Sequence, residues 1–267
     1  MTVREITAGG VRWRLAEEGS TGLPLLLLHG NRDRKELWRP LLDELGDRRT
    51  LAVDLPGHGG TPLPASTDMA DHVTALGDLL DALQVRECAV IGHSMGGQLA
   101  IALAAQRPDL VRALVVIGSA LAHASSFKPR AAASNDDMIA HVSRLFFPGT
   151  PQVPPRRDQV RAEVLATWRD MSWEHHQRLN ALRRVDAAAA AAAVTVPALV
   201  MTGEHDLICP WDPAGAAIQA AIGGAGRAII ADGGHFAHLE WPRPAAAAIT
   251  AFLDRVSAQP LAAGGRA

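Results

Sequence analysis

The sequence has only two cysteines, Cys88 and Cys209, among 267 residues. That is too few for a disulfide framework, and they lack the spacing of a metal site. Cys88 stands in an apolar, strand-like run and reads as a small buried residue. A strong charge of either sign is also missing: the formal net charge is −2, which gives no support to a nucleic-acid or anionic-membrane partner. The longest aliphatic block is "LLLL" at 25–28, beside alanine-rich stretches, and neither approaches a membrane span of about 20 residues. The N-terminal "MTVREITAGGVRWRLAEEG" carries charges throughout and lacks the apolar block of a signal peptide. These absences predict a cytoplasmic protein acting on a small, partly apolar molecule, with no metal, cofactor, nucleic acid or membrane partner. The closing "AQPLAAGGRA" has little to anchor it, and residues 259–267 are expected to be a flexible tail.

What is present is an ordinary globular composition, 48% hydrophobic and 20% charged, long enough for one core with an inserted segment. Short apolar runs alternate with longer amphipathic ones. Strands are expected at 11–16, 25–28, 50–53, 88–91, 113–117, 198–202 and 228–230. Most are continuous apolar blocks, as in a parallel sheet covered on both faces. Helices are expected at 36–45, 68–83, 95–106, 213–222 and 244–256, with Asp68, Pro213 and Pro244 as starts. The alternation predicts a doubly wound α/β fold. From 121 to 194 the rhythm breaks: no strand-like run appears, and the stretch is too long for a simple loop. It reads as a helical cap, with 1–120 and 195–258 forming the core.

One stretch, "VIGHSMGGQLA" at 90–100, crowds Gly92, Gly96 and Gly97 around Ser94. A strand precedes it and a helix follows, the setting of a nucleophile elbow, in which a sharp turn leaves no room for side chains. The helix start adds N–H groups and positive potential for a developing oxyanion. An unassisted serine hydroxyl is a poor nucleophile, so a base and an orienting acid must follow. Asp206 lies just beyond the strand at 198–202, and His235 just beyond the strand at 228–230, both on the sheet edge that carries Ser94. Glu204 competes as the acid, and His205 and His238 as the base. Gly233 and Gly234 clear space before His235, which favours it. The oxyanion donors are expected to be the backbone N–H groups of Met95 and, from "LLLLHGN" at 25–31, Asn31, with His29 bracing that loop.

Together, "LLLHGN", "VDLPGHGGT", "GHSMGG", "GEHDLICP" and "GGHFAHLEWP" resemble the α/β-hydrolase superfamily, in its branch with a helical cap after the sixth strand. The resemblance covers nearly the whole chain and implies about eight mostly parallel strands and a Ser94–His235–Asp206 triad. The D-x-x-G-H-G-x-S loop of the family appears as Asp54, Gly57, His58 and Gly59, with Thr61 in place of serine. Asn31 with Trp38 is similar to haloalkane dehalogenases, but those use an aspartate nucleophile where this chain has Ser94. Phe236 stands where meta-cleavage-product hydrolases often carry tryptophan. The implied activity is hydrolysis of a small carboxylic ester, lactone or thioester. Two alternatives use the same apparatus: cleavage of a C–C bond in a vinylogous diketone, and acyl transfer. A non-catalytic ligand receptor on the same fold is the alternative of another class. The cap segment holds Phe127, Phe146, Phe147, Trp168 and Trp173 and carries ten Lys and Arg against seven Asp and Glu. Phe146 and Trp168 are the expected substrate-binding residues, roofing an apolar pocket.

Overall fold

The computed structural model describes residues 2–65, 68–121, 134–180 and 186–258. Phe127 and the tail at 259–267 lie outside the described residues. Eight strands make one sheet: β1 (Thr2–Ala8), β2 (Val11–Glu18), β3 (Thr21–Leu28), β4 (Arg48–Val53), β5 (Cys88–His93), β6 (Val111–Ile117), β7 (Ala198–Gly203) and β8 (Gly226–Ile230). Their order is β1-β2-β4-β3-β5-β6-β7-β8. β2 runs antiparallel to β1 and β4, and the remaining pairs are parallel. Seven strands fall where the apolar runs predict them. β1 was not foreseen, because "TVREITA" is a mostly exposed edge strand with charges and no apolar block. It is held through its register with β2.

The apolar blocks are continuous because successive side chains of a strand enter opposite cores. Leu26, Leu28, Val90, Leu114 and Val116 face one core. Helices α2 (Met69–Ala82), α3 (Met95–Gln106) and α8 (Ala216–Ala221) cover it. Leu25, Leu27, Ile91, Val115 and Ile117 face the other, under α1 (Arg39–Leu45), α9 (Ala237–Glu240) and α10 (Pro242–Ala258). Cys88 and Cys209 are both free and buried. Burial pushes the Cys88 thiol up to about 12, so it is an inert packing residue.

Local chemistry sets the helix ends. Asp68 caps α2 as expected, its carboxylate accepting from the Ala70 N–H at 2.9 Å. The predicted helix at 36–45 splits into a 3₁₀ turn, Lys35–Trp38, and α1, with Pro40 in the first turn of α1. The predicted start at Pro213 is displaced. Asp212 has an extended backbone inside a kinked turn at Trp211–Gly215, so α8 begins at Ala216. α10 starts two residues before Pro244.

Between β6 and β7 lie α4 (Asn135–Phe146), α5 (Arg157–Asp170), α6 (Trp173–Asn180) and α7 (Ala187–Ala193), a helical segment after the sixth strand. α7 is all alanine, is capped by Asp186 through the Ala189 N–H, and packs on α3. Among the described residues, no helix is long and apolar enough to cross a membrane.

The D-x-x-G-H-G loop is pinned from beneath. Asp54 is fully buried and receives the Lys35 ammonium at 2.8 Å, the Lys35 N–H at 2.9 Å and the Gly60 N–H at 2.8 Å. The Thr61 hydroxyl accepts from the Arg14 N–H at 2.8 Å, a bond that a serine there could also make. Removing one partner of a buried pair strands the other charge. Lys35→Met is therefore expected to lower unfolding stability by about 3–5 kcal/mol in urea titrations. A loss below about 1 kcal/mol would mean that this pair does not hold the loop.

Candidate active site

Ser94 joins β5 to α3 with φ 52° and ψ −117°, a left-handed backbone that few residues other than glycine adopt. The crowding around it explains the glycines. A Cβ on Gly92 would lie 2.2 Å from the Gly96 carbonyl oxygen, and one on Gly96 would lie 2.1 Å from that of Leu28. Neither backbone oxygen can move aside cheaply. The Ser94 N–H is tied to the Ile117 carbonyl at 2.9 Å, and its carbonyl accepts from the Ser119 hydroxyl at 2.7 Å and the Gly97 N–H at 2.9 Å. The side chain is left half-buried at the carboxyl edge of the sheet.

Asp206 and His235 come together from the loops after β7 and β8. His235 Nδ1 lies 2.9 Å from Asp206 Oδ2 and 3.1 Å from Oδ1, and both side chains are fully enclosed. Burial pushes the Asp206 carboxyl up, but the adjacent His235 and the N–H groups of Ile208 and Cys209 outweigh it, holding the group below its ordinary range. The acid is therefore ionised and its imidazole partner fixed in orientation. His235 Nε2 is buried and has no hydrogen-bond partner among the described residues. The competitors do not share this geometry. Glu204 is exposed and accepts from the Asp232 N–H. His205 lies 3.8 Å from both Glu204 and Asp232. His238 is buried against His93 and Trp38, with ring centroids at 4.5 and 5.0 Å.

The loop after β3 approaches the serine directly: a Cβ on Gly30 would lie 3.4 Å from Ser94 Cβ. His29 Nδ1 donates to the Gly30 carbonyl at 2.7 Å, and Nε2 accepts from the Leu55 N–H at 3.0 Å. Both ring nitrogens are thus engaged in holding the loop. Asn31 follows, its amide 3.4 Å from Asn180 of α6. Met95 begins α3, where a backbone N–H has no acceptor inside the helix.

The cap aromatics divide. Phe146 is half-buried and lies edge-on to His235 at 4.8 Å and to Trp168 at 5.0 Å. Its carbonyl also accepts from the His235 N–H at 3.2 Å. Trp168 is buried, with its indole N–H donated to Asp33 at 3.0 Å, and both Phe146 and Phe236 lie between it and His235. Phe147 stacks on Phe236 at 5.3 Å, and Trp173 packs on His176. A buried ion pair missed in the sequence fixes this roof. Arg157 Nε meets Glu240 at 2.6 Å, and Glu240 also accepts from the Gly234 N–H at 3.0 Å. Arg157 Nη1 donates to the Pro148 carbonyl at 2.6 Å. Glu240 stands out in "HLEWP", but nothing distinguishes Arg157 from the other cap arginines by pattern.

Residues 25–249 match the model of the alpha/beta hydrolase family. The 2-hydroxymuconate semialdehyde hydrolase of Pseudomonas sp. strain CF600 is 37% identical over 126 residues, 44% of this chain and 43% of that protein. The match thus spans less than half of that relative. A putative carbamate hydrolase, RutD of Pseudomonas syringae pv. syringae strain B728a, is 27% identical over 78% of this chain and 84% of its own length. The crystal structure of the enol-lactonase from Burkholderia xenovorans LB400 has the same fold, with a TM-score of 0.81 at 22% identity over 94% of this chain and 100% of that one.

The enclosed histidines make stability pH-dependent. Burial holds His93, His72 and, most strongly, His238 below the ordinary imidazole range. Each binds a proton less readily in the folded chain, so the unfolded chain protonates first as pH falls. Stability is full above about 6.5 and is lost as pH falls from there toward the folded-state values. Tm is expected to fall between pH 7 and 5, and less so in His72→Leu, which lies outside the site. An unchanged Tm across that interval would contradict the burial argument.

Proposed function

Because the chain belongs to the alpha/beta hydrolase family, we propose that it is a serine hydrolase that cleaves a small carboxylic ester, lactone or thioester through an acyl-enzyme. One observation carries the reading. An enclosed, ionised Asp206 orients His235, whose Nε2 has no partner among the described residues, on the sheet edge where Ser94 holds a strained backbone. In this reading 121–194 is the cap over a core of 1–120 and 195–258.

Ser94 Oγ attacks the carbonyl carbon, and its proton passes to His235 Nε2. Asp206 stabilises the imidazolium through Nδ1 without taking a proton. The negative charge that forms on the carbonyl oxygen is met by the N–H groups of Met95 and Asn31. Collapse expels the leaving group, which takes the proton from His235. His235 then deprotonates a water that attacks the acyl carbon, and Ser94 is released. Phe146, packed edge-on to His235, shields the imidazole from water. The likeness to 2-hydroxymuconate semialdehyde hydrolase supports a second reading, C–C cleavage of a vinylogous diketone. Acyl transfer would replace the water with another acceptor.

Ser94→Ala should lower kcat by more than 10³-fold with Tm retained, and should abolish labelling by a fluorophosphonate. A wild-type chain that resists the label would indicate a non-catalytic receptor. His235→Ala should match the serine variant, since the two act as a unit. His238→Ala should retain far more activity; equal loss from both histidines would leave the base unassigned.

A further inference from the structure

Trp168 of α5 is gripped at both its backbone and its side chain by the loop after β3. Its carbonyl accepts from Arg32 Nη2, and also from Asn135 of α4 at 3.3 Å. Its indole N–H is donated to Asp33 Oδ1 at 3.0 Å. Trp168 and Asp33 are 2% and 3% exposed, so water does not compete for that bond. A buried carboxylate must be met by donors or cations. Among the described residues, the indole N–H is the one hydrogen bond that the Asp33 side chain receives.

The other Asp33 oxygen faces the proposed chemistry. Asp33 Oδ2 lies 3.8 Å from His93 Nδ1, within ion-pair range but beyond a direct hydrogen bond. Both atoms rest over Gly30, where a Cβ would lie 2.8 Å from Asp33 Oδ2 and 3.1 Å from His93 Nδ1. His93 is the residue before Ser94. Its Nε2 donates to the His235 carbonyl at 3.1 Å, and its ring lies 4.8 Å from the His235 ring. A carbonyl can only accept, so the Nε2 proton of His93 is fixed there and Nδ1 is left to face the carboxylate.

Trp168 thus reaches His235 by two routes. The apolar one runs through Phe146, which is edge-on to Trp168 at 5.0 Å and to His235 at 4.8 Å. The polar one runs from the indole through Asp33 and His93 to the His235 backbone. We propose that Trp168 is a positioning residue for the base: its indole holds Asp33 against His93, and His93 fixes His235 at its carbonyl. This second hold is separate from the bond that Asp206 makes to the ring. The assignment rests on the hydrolase reading and gives α5 a part in placing the base rather than in touching the substrate. Without the indole N–H, the buried Asp33 carboxylate turns toward another donor, and His93 and the His235 carbonyl move with it. A misplacement of about 1 Å at a reacting group costs on the order of 100-fold in rate.

Trp168→Phe keeps an aromatic ring against Phe146 and removes the indole donor. On p-nitrophenyl acetate its kcat should fall by about 10-fold with KM unchanged, and fluorophosphonate labelling should slow by the same factor. Asp33→Leu should reproduce that loss. Asp33→Asn should recover most of it, because its amide oxygen still accepts from the indole and its NH2 faces His93 Nδ1. Trp168→Phe also leaves a gap where the larger ring stood, so the Asp33 pair carries the test independently. Combining Trp168→Phe with Asp33→Leu should cost no more than Asp33→Leu alone, as for groups acting in one chain. A raised KM with kcat retained would make Trp168 a pocket wall and overturn the assignment, as would unchanged kinetics or additive losses. Proton NMR of the His235 Nδ1–H gives a readout that needs no turnover. Its resonance should move in Trp168→Phe and Asp33→Leu and stay near its wild-type position in Asp33→Asn. If the wild type neither cleaves the ester nor takes the label, the hydrolase reading fails, and this resonance alone judges the hold on His235. A resonance unmoved in both variants would then overturn it.

Discussion

Between the end of β5 and the first turn of α3 there is no space for side chains, and most of the site follows from that crowding. Gly92 and Gly96 nearly touch, and Gly96 rests on the carbonyls of Leu28 and His29. Strand, helix and the loop after β3 therefore meet at one point. Ser94 must turn through a left-handed conformation to make the corner. The first turn of α3 is thereby set against the loop after β3. A single steric constraint brings the serine turn and the loop after β3 together on rigid elements.

The polar groups that support this edge are buried, which makes pairing obligatory. Lys35 holds Asp54, Asp206 holds His235, and Arg157 holds Glu240. Such pairs contribute little net stability compared with apolar packing, but their geometry is sharply defined. Each fixes a different loop at the carboxyl edge of the sheet: the one after β4, those after β7 and β8, and the junction with the cap. The two cores below contain little polarity and supply the stability. Arg32 departs from the pattern, since it is buried without a carboxylate partner of its own.

The core was legible because its signals are local. A strand buried on both faces must be an apolar block, and α3 runs from Met95 to Gln106, as its start at the elbow and its apolar run imply. Asp206 and His235 were legible by position, each just past a strand end. What escaped depended on partners distant in sequence. β1 exists through pairing with β2, not through its own composition. Arg157 and Arg32 resemble any other arginine until the fold buries them. The polar tie of Trp168 was equally invisible in the sequence. Its indole N–H meets Asp33, 135 positions away in sequence.

The Arg157–Glu240 pair also bears on how this protein could change over evolutionary time. In the chain the helical segment is one block between β6 and β7, which splicing could exchange. Here Arg157 of α5 supplies the cation paired with a fully enclosed carboxylate that braces the residue before His235. A replacement cap lacking an arginine at that point would leave a charge stranded beside the histidine loop. Cap and core are thus inherited as a matched set, and a recombinant between relatives inherits a defect at the histidine loop unless Glu240 changes with the cap.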